Sequence, residues 1–225
     1  MTTRSLSRSV EDYLKAIYGL SDSGDAASTS AIADALDIQP ASVTGMIKRL
    51  AESGLLEHVP YKGVRLTEPG TREALKVLRR HRILETYLCE KLGYAWDDVH
   101  DEAERLEHAA SDGLIDRMAR ALDFPSHDPH GAPIPTRGGD IEATNLSTLA
   151  DVLPGEIVLI RAVRDEDPSD LRSAAERGLV PGARVLVRAG SQAEGYFEVA
   201  VTDAGESRRV SGELARHIYV VPDDR

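Results

Sequence analysis

The sequence predicts a mainly α-helical protein that carries a small β-barrel at its C-terminal end. Apolar residues recur with a helical period over residues 9–122. The period becomes that of β-strands over residues 141–225, after a Pro-, Gly- and His-rich stretch at 125–141. With 41% hydrophobic residues in a chain of 225, these regions are long enough to build packed domains.

The first region begins with a helix over residues 9–21. Val10, Leu14 and Ile17 recur there at the spacing of one helical face, with Tyr18 and Leu20 nearby. Ser9 precedes this apolar run and is a candidate N-cap.

Two further helices and a hairpin follow. Residues 28–38 predict a short helix, and residues 39–54 predict another, with Pro40 in its first turn and Gly54 at its end. Residues 55–67 contain two β-type runs around a turn, which predicts a hairpin.

The rest of the chain divides into a helical part and a β part. Long helices are predicted over 67–92 and 97–122. Strands are predicted over 156–163, 183–190, 196–202 and 217–221, with a short helix over 170–178. We therefore expect three domains, over residues 1–70, 71–140 and 141–225.

Composition excludes several classes of protein. No apolar run approaches the ~20 residues of a membrane span, and the N-terminus lacks the apolar stretch of a signal peptide. The single cysteine, Cys89, excludes an internal disulfide framework and a multi-cysteine zinc site. We therefore expect a cytoplasmic protein that has no membrane partner.

The helix–helix–hairpin order is typical of a winged helix-turn-helix DNA-binding domain. The net charge of −11 argues against DNA binding, although residues 1–70, with 7 Lys/Arg against 9 Asp/Glu, are the least acidic part. A plain helical bundle with a hairpin stays open as the alternative. The candidate DNA contacts are Ala41, Ser42, Thr44, Gly45, Lys48 and Arg49 in the recognition helix, and Lys62 and Arg65 in the wing.

Histidines and carboxylates cluster in the two long helices. Helical spacing predicts one shared face for four of them, namely His100, Glu104, Glu107 and His108, and His81 and Glu85 form an i, i+4 pair on the preceding helix. Imidazole and carboxylate ligands suit Mn²⁺ or Fe²⁺, and also Zn²⁺ or Co²⁺. The alternative is a solvated charged face, which is common on helices.

Known hydrolase patterns do not fit these residues. The HExxH motif fails, because a glutamate lies four positions before His108. No paired Glu-x-x-His motif, phosphate-binding loop or supported Ser-His-Asp set is present. We therefore expect no enzyme activity and no organic substrate, with a metal-dependent hydrolase as a lower-ranked alternative.

Several segments together resemble the diphtheria toxin repressor and manganese transport regulator family. They are VEDYLKAIY, IADALDIQPASVTGMIKRLAESGLL, RRHRILETYL, VHDEAERLEHAASD and DPHGAPIP, and the C-terminal LPGEIVLI and LRSAAERGLVPGARVLV resemble the SH3-like third domain. The resemblance covers nearly the whole chain. It implies a metal-activated, homodimeric, winged-helix repressor that binds operator DNA.

The resemblance also implies two metal sites. Its primary site corresponds to Asp12, Glu104, Glu107 and His108, and its ancillary site to His81, Glu85 and His100, with Asp167 and Asp170 from the third domain. The iron-sensing branch carries Met and Cys where this chain has Asp12 and Glu104, so oxygen ligands favour Mn²⁺. Lys15 replaces a glutamate of the two-domain manganese regulators, which implies separate sites rather than a binuclear one.

The function that the resemblance implies is repression of metal-homeostasis genes. Metal bound by Asp12 and by ligands of the second domain clamps the DNA-binding domain to the dimerisation domain and sets the spacing of two recognition helices. Mn²⁺ is the expected co-repressor. An iron-responsive regulator of the same fold is the alternative for the metal, and a winged-helix sensor of an organic ligand is a further competitor.

Overall fold

The structure, a computed structural model, describes residues 6–21, 26–143, 145–165, 167–202 and 205–223. The chain forms two compact units. The first contains Met1–His81, Glu107–Ala110 and Pro135–Ile141, and the second contains Arg82–Leu106, Ser111–Ile134 and Glu142–Arg225. The predicted three-domain division at residues 70 and 140 stays a prediction.

The first unit contains the predicted winged helix-turn-helix. Its order is α1 (Arg8–Leu20), α2 (Thr29–Ala35), α3 (Pro40–Glu52), β1 (Leu56–Val59) and β2 (Gly63–Leu66). The N-cap of α2 is Ser28, whose hydroxyl accepts a hydrogen bond from the amide of Ala31. Pro40 opens α3, where its missing N–H leaves no helical hydrogen bond unmade.

One apolar core joins these elements. Leu14 and Ile17 of α1 and Val43 of α3 are completely buried in it. Further buried members are Val10, Ile32, Ile47, Leu50, Leu56 and Val64. A side chain on α1 is therefore positioned by the same core that holds α3.

The hairpin packs against the chain before α2 through its own backbone. β1 and β2 are antiparallel, with Leu56 opposite Leu66 and Val59 opposite Gly63. Gly63 has φ +127°, and a Cβ atom there would lie 2.1 Å from the carbonyl oxygen of Ala27. Only glycine therefore fits this position without a shift of the backbone.

The long helix α4 (Glu68–Leu92) matches its prediction, but the prediction of one helix over 97–122 is wrong. The structure forms α5 (Val99–Leu106) and α6 (Asp112–Ala121) instead. Ser111 caps α6 by accepting a hydrogen bond from the amide of Leu114, so a new helix begins at that point. The intervening residues, Glu107 among them, form a turn.

The predicted C-terminal β domain is confirmed. Its six strands form an antiparallel open sheet in the order β3-β8-β4-β5-β6-β7, with β3 and β7 at the edges. The elements are β3 (Ser147–Thr148), a 3₁₀ turn (Leu149–Asp151), β4 (Ile157–Val163), α7 (Pro168–Glu176), β5 (Arg184–Ser191), β6 (Tyr196–Val201), β7 (Ser207–Ser211), α8 (Gly212–Arg216) and β8 (Ile218–Pro222). Sequence analysis missed β7, because Val210 is its only buried residue.

The second unit has its own apolar core, formed mainly by this sheet. Phe197, Leu149, Ile160 and Leu171 are buried in it, and Trp96 packs against it. The carbonyl of His130 accepts a hydrogen bond from the amide of Val163 at 2.9 Å. Among the described residues, no helix is both long and apolar enough to cross a membrane.

Candidate functional site

Three of the predicted metal ligands meet in the first unit. Asp12 lies on α1, while Glu107 and His108 lie in the turn that follows α5. The Nε2 atom of His108 is 2.8 Å from Oδ1 of Asp12 and 3.4 Å from Oε1 of Glu107. These three side chains offer ligand atoms that all lie within 4.8 Å of one another.

Two polar atoms of this group are buried and have no hydrogen-bond partner. They are Oε1 of Glu107 and Nε2 of His108. Buried polar atoms in folded proteins are almost always hydrogen bonded, so an unsatisfied pair that converges on one point requires an explanation. A carboxylate oxygen from each acid and an imidazole nitrogen fit a divalent cation at that point.

The other oxygen of Glu107 is already satisfied. Oε2 of this fully buried side chain accepts hydrogen bonds from Lys15 Nζ at 2.9 Å and from His81 Nδ1 at 2.6 Å. Burial alone raises the pKa of Glu107, but the hydrogen bond from His81 and the charge of Lys15 outweigh it, so the pKa lies below its ordinary value. Glu107 is therefore a carboxylate with one oxygen committed to Lys15 and His81.

Sequence analysis missed Glu11, which contacts the opposite side of the His108 ring. Oε2 of Glu11 lies 2.7 Å from Nδ1 of His108, and its Oε1 accepts a hydrogen bond from Arg80 Nη2 at 2.6 Å. The one feature of the sequence that could have pointed to Glu11 is its position next to Asp12 in the same amphipathic helix. Nothing local indicated that it would reach a residue 97 positions away.

A second group of acids and histidines lies in the second unit. His100 Nδ1 is 3.3 Å from Oε1 of Glu85 and 3.5 Å from Oδ2 of Asp165. Burial lowers the pKa of His100, but the hydrogen bonds and charges of Asp165 and Glu85 outweigh it and raise the pKa to about 10. Glu104 lies beside the same ring, with its Oε1 3.8 Å from Nε2.

The sequence-predicted ligands are thus divided between two groups. The helix that carries His100 and Glu104 ends at Leu106, so Glu107 and His108 lie in the turn after it and not on the same helix. His81 contacts Glu107 in the first unit, while Glu85 and His100 lie in the second.

Asp165, which the sequence analysis did not name, lies beside His100, while Asp167 and Asp170 contact other residues and stay predicted ligands. Asp167 caps α7 by accepting a hydrogen bond from the amide of Ser169. Asp170 contacts His217 Nδ1 at 2.6 Å. Both therefore have partners within the C-terminal domain.

Two buried residues in the Pro- and Gly-rich segment extend the second group. Asp128 and His130 lie with Glu85, and all three are buried, with ligand atoms within 4.8 Å of one another. The composition of this segment predicts a loop, and the two residues stand in its DPHGAPIP motif. Only the folded chain brings them to Glu85, 43 positions earlier for Asp128.

The hydrogen bonds of His130 and Asp128 leave one atom of each unsatisfied. Nε2 of His130 donates to the carbonyl of Trp96 at 2.6 Å, and its buried Nδ1 has no hydrogen bond. Oδ1 of Asp128 accepts from two backbone amides, while its buried Oδ2 has none and lies 3.4 Å from Arg82 Nε. Burial, together with the charge of Glu85, raises the pKa of Asp128 to about 7.

The candidate DNA-contacting residues are all exposed. In α3 these are Ala41, Ser42, Thr44, Gly45, Lys48 and Arg49, and in the wing they are Lys62 and Arg65. A Cβ atom added at Gly45 would meet no atom within 4 Å. Arg65 also lies 3.8 Å from Glu57 across the hairpin, an exposed pair that a phosphate can replace.

Comparisons with known proteins agree with this architecture. The N-terminal DNA-binding domain of iron-dependent repressors matches residues 5–64, their metal-binding and dimerisation domain matches 67–136, and the FeoA domain matches 147–222. The iron-dependent repressor IdeR of Mycobacterium tuberculosis is 32% identical over 192 residues, which cover 79% of this chain and 82% of that protein.

Two further relatives cover still more of the chain. The diphtheria toxin repressor of Corynebacterium glutamicum is 28% identical over 221 residues, 93% of this chain and 94% of that protein. A solved manganese-dependent transcriptional repressor in complex with manganese has a TM-score of 0.88 and 37% identity, and covers 95% of this chain and 100% of that one.

Fold, site and relatives define a metal-dependent, DNA-binding transcriptional repressor of iron or manganese homeostasis. The chain belongs to the iron-dependent repressor family, whose members include the diphtheria toxin repressor.

Proposed function

We propose that this protein is a Mn²⁺-responsive repressor that binds operator DNA as a homodimer. The observation that carries the proposal is the pair of buried, unsatisfied atoms, Glu107 Oε1 and His108 Nε2, next to the carboxylate of Asp12. Two hard oxygen donors and one imidazole, without sulfur, favour Mn²⁺ over ions that prefer thiolate or thioether ligands. Fe²⁺ accepts the same ligands and is the alternative metal.

This first site holds one divalent ion. The ammonium of Lys15 lies 2.9 Å from Glu107 Oε2 and balances the charge of this buried carboxylate. A second metal ion is therefore not needed at that oxygen. His81 donates to that same oxygen, so it supports Glu107 instead of binding metal on this side. The separate sites implied by Lys15 in the sequence agree with this arrangement.

A second ion is held in the second unit by Glu85, His100, Asp128, His130 and Asp165. The distances that join His100 and His130 to Glu85 and Asp165 run from 3.3 to 3.9 Å. The two distances from His130, 3.9 Å to Glu85 and 3.8 Å to Asp165, are too long for hydrogen bonds. Imidazole nitrogens and carboxylate oxygens that lie this close together fit side chains that would share one divalent cation. Glu104, Asp167 and Asp170 remain predicted ligands.

Asp12, Glu107 and His108 would hold the ion, which when bound would supply the positive charge that keeps these side chains together. Asp12 lies on α1, whose apolar face shares a core with α3. Restraint of α1 therefore restrains the recognition helix, and the spacing of two such helices in a dimer decides whether both reach the major groove. Metal and DNA binding are then coupled reciprocally, typically by ~1–3 kcal/mol.

Exposed apolar side chains in the second unit are suited to the homodimer contact. Leu92, Tyr94, Leu114 and Phe124 are 61, 42, 43 and 65% exposed, on or beside α4 and α6. Large apolar side chains at the surface commonly mark protein–protein interfaces. Sedimentation of Phe124→Asp should show a shift from dimer towards monomer, whereas an unchanged dimer would place the interface elsewhere.

The test of the proposed function is a DNA-binding assay across metals. Fluorescence anisotropy on operator-like DNA is measured with Mn²⁺, Fe²⁺ under anaerobic conditions, Zn²⁺, Co²⁺ and chelator. We expect binding with Mn²⁺ and its loss in chelator. Asp12→Ala should abolish the response to Mn²⁺, while Asp101→Ala, at an exposed acid on α5, should leave it unchanged. A normal response in Asp12→Ala would refute the proposal.

A further inference from the structure

We propose that Glu11 is a positioning residue that selects which nitrogen of His108 is available to a cation, and that Arg80 holds Glu11 in place. The inference rests on the proposed cation site at Asp12, Glu107 and His108. It assigns to Glu11 a role that is distinct from that of a ligand.

The hydrogen bond between Glu11 and His108 determines the state of the ring. A carboxylate only accepts, so at 2.7 Å from Glu11 Oε2 the Nδ1 atom of His108 carries the proton. A neutral imidazole with its proton on Nδ1 has its lone pair on Nε2. Nε2 is the buried, unsatisfied atom that faces Asp12 and Glu107.

Consecutive residues of α1 therefore contact opposite sides of one ring. Asp12 lies 2.8 Å from Nε2, and Glu11 lies 2.7 Å from Nδ1. Nε2 is buried and makes no hydrogen bond, although an oxygen of Asp12 lies only 2.8 Å from it. Two ligands of one cation have this relation, because each points at the cation instead of at the other.

Arg80 prevents Glu11 from turning towards the cation itself. The guanidinium on α4 donates to Oε1 of Glu11 at 2.6 Å, and both side chains are only 13% exposed. Each oxygen of Glu11 thus has its own partner, one on Arg80 and one on His108. Burial makes this chain of charged hydrogen bonds stiffer and stronger than a surface pair would be.

The expected magnitude follows from histidine ligands in general. A carboxylate that orients a metal-bound histidine typically contributes 10- to 100-fold to metal affinity. Glu11→Ala removes both the orientation and the charge, so its Mn²⁺ affinity should fall by about that factor. Glu11→Gln keeps an oxygen acceptor without the charge, so its loss should be smaller than that of Glu11→Ala.

The experiment measures Mn²⁺ affinity by titration calorimetry for the wild type, Glu11→Gln, Glu11→Ala and Asp12→Ala. The matched control is Glu68→Ala, which removes a Glu–Arg pair on α4 with a nitrogen–oxygen distance of 2.7 Å but exposed side chains and no histidine. We expect wild-type affinity in Glu68→Ala. Thermal unfolding in chelator identifies any variant that has lost its fold. If Glu11→Ala does not fold, the Mn²⁺ affinity of Glu11→Gln tests the inference in its place.

A second readout follows the ring itself. Nitrogen NMR of His108 in chelator-treated protein, at a pH where the ring is neutral, should give Nδ1 protonated in the wild type. In Glu11→Ala the proton should shift towards Nε2, because the carboxylate of Asp12 lies 2.8 Å from that nitrogen and Glu11 no longer holds the proton on Nδ1. A merely structural role of Glu11 would not move this tautomer in a folded variant.

The outcomes separate this inference from the proposed function. If Asp12→Ala binds Mn²⁺ like the wild type, the proposed site is wrong, and the tautomer measurement still tests Glu11. If Asp12→Ala loses affinity while folded Glu11→Ala and Glu11→Gln both keep the wild-type affinity and tautomer, Glu11 does not position His108 and the inference is overturned.

Discussion

Replacement of Lys15 by methionine tests how the buried carboxylate of Glu107 is stabilised. The change keeps the aliphatic length of the side chain and removes an ammonium 2.9 Å from Glu107 Oε2. His81 still donates to that oxygen, so Glu107 loses one of two partners. A hydrogen bond to a charged group contributes about 1.5–3 kcal/mol, and we expect the free energy of unfolding in chelator to fall by that amount.

Thermal unfolding measures this loss directly. For a chain of this size, 1 kcal/mol corresponds to about 2–4 °C, which gives a Tm lower by roughly 3–12 °C. The control is Lys76→Met, because Lys76 and Glu73 have a similar separation of 2.7 Å with side chains 46 and 31% exposed. That pair should contribute at most about 1 kcal/mol. Equal Tm losses in the two variants would refute the argument from burial.

The same variant has a predicted pH dependence. The folded pKa of Glu107 lies below its ordinary value, so its contribution to stability is present above that value and is lost as the pH falls through the folded pKa. Without Lys15 the folded pKa is higher. The loss of stability in acid should therefore begin at a higher pH in Lys15→Met than in the wild type, as unfolding midpoints across pH would show.

Three further changes test other parts of the structure. Gly45→Ala should raise the free energy of unfolding by up to about 1 kcal/mol, because alanine favours a helix and its methyl meets only open space in the free protein. The same methyl should weaken operator binding, because it would take up space between α3 and the DNA. Denaturation and anisotropy measure the two effects, and an unchanged DNA affinity would contradict the proposed groove contact. Gly63→Ala should lower the free energy of unfolding by about 1–3 kcal/mol or more, because φ is +127° and the carbonyl of Ala27 occupies the place of the methyl. Thermal unfolding measures this loss, and a wild-type Tm would contradict it. In chelator, the free energy of unfolding of the wild type should fall as the pH rises from about 4 towards 7, because the folded pKa of Asp128 is raised to about 7. Asp128→Asn should flatten this dependence when denaturation is measured across pH. An equally steep profile in the variant would exclude Asp128 as its source.

Local spacing was sufficient to predict most of the fold. The apolar positions of α1 and α3 lie one helical turn apart, and the same residues are buried in the first unit. β7 was missed because it has a single buried residue, and alternation cannot be recognised from one position. The break between α5 and α6 was missed because helical spacing continues through it, while the cap at Ser111 overrides it.

The candidate site was predictable in its chemistry but not in its grouping. Glu107 and His108 were named from the spacing of acids and histidines and Asp12 through the resemblance, and the structure brings the three together. Asp128 and His130 escaped detection because a Pro- and Gly-rich segment has no periodicity from which burial can be inferred.

The amino-acid sequence by itself determined most of the helices and strands, the DNA-binding layout and the kinds of atom available to a metal, since these depend on residue type and on neighbours within a few positions. Only the folded chain decided that Glu11 would contact His108, that Lys15 would share Glu107, and that Asp165 would lie beside His100. These contacts join residues 65 to 97 positions apart. Which residues meet in these contacts depends on how whole helices and strands pack, and a local sequence pattern does not contain that information.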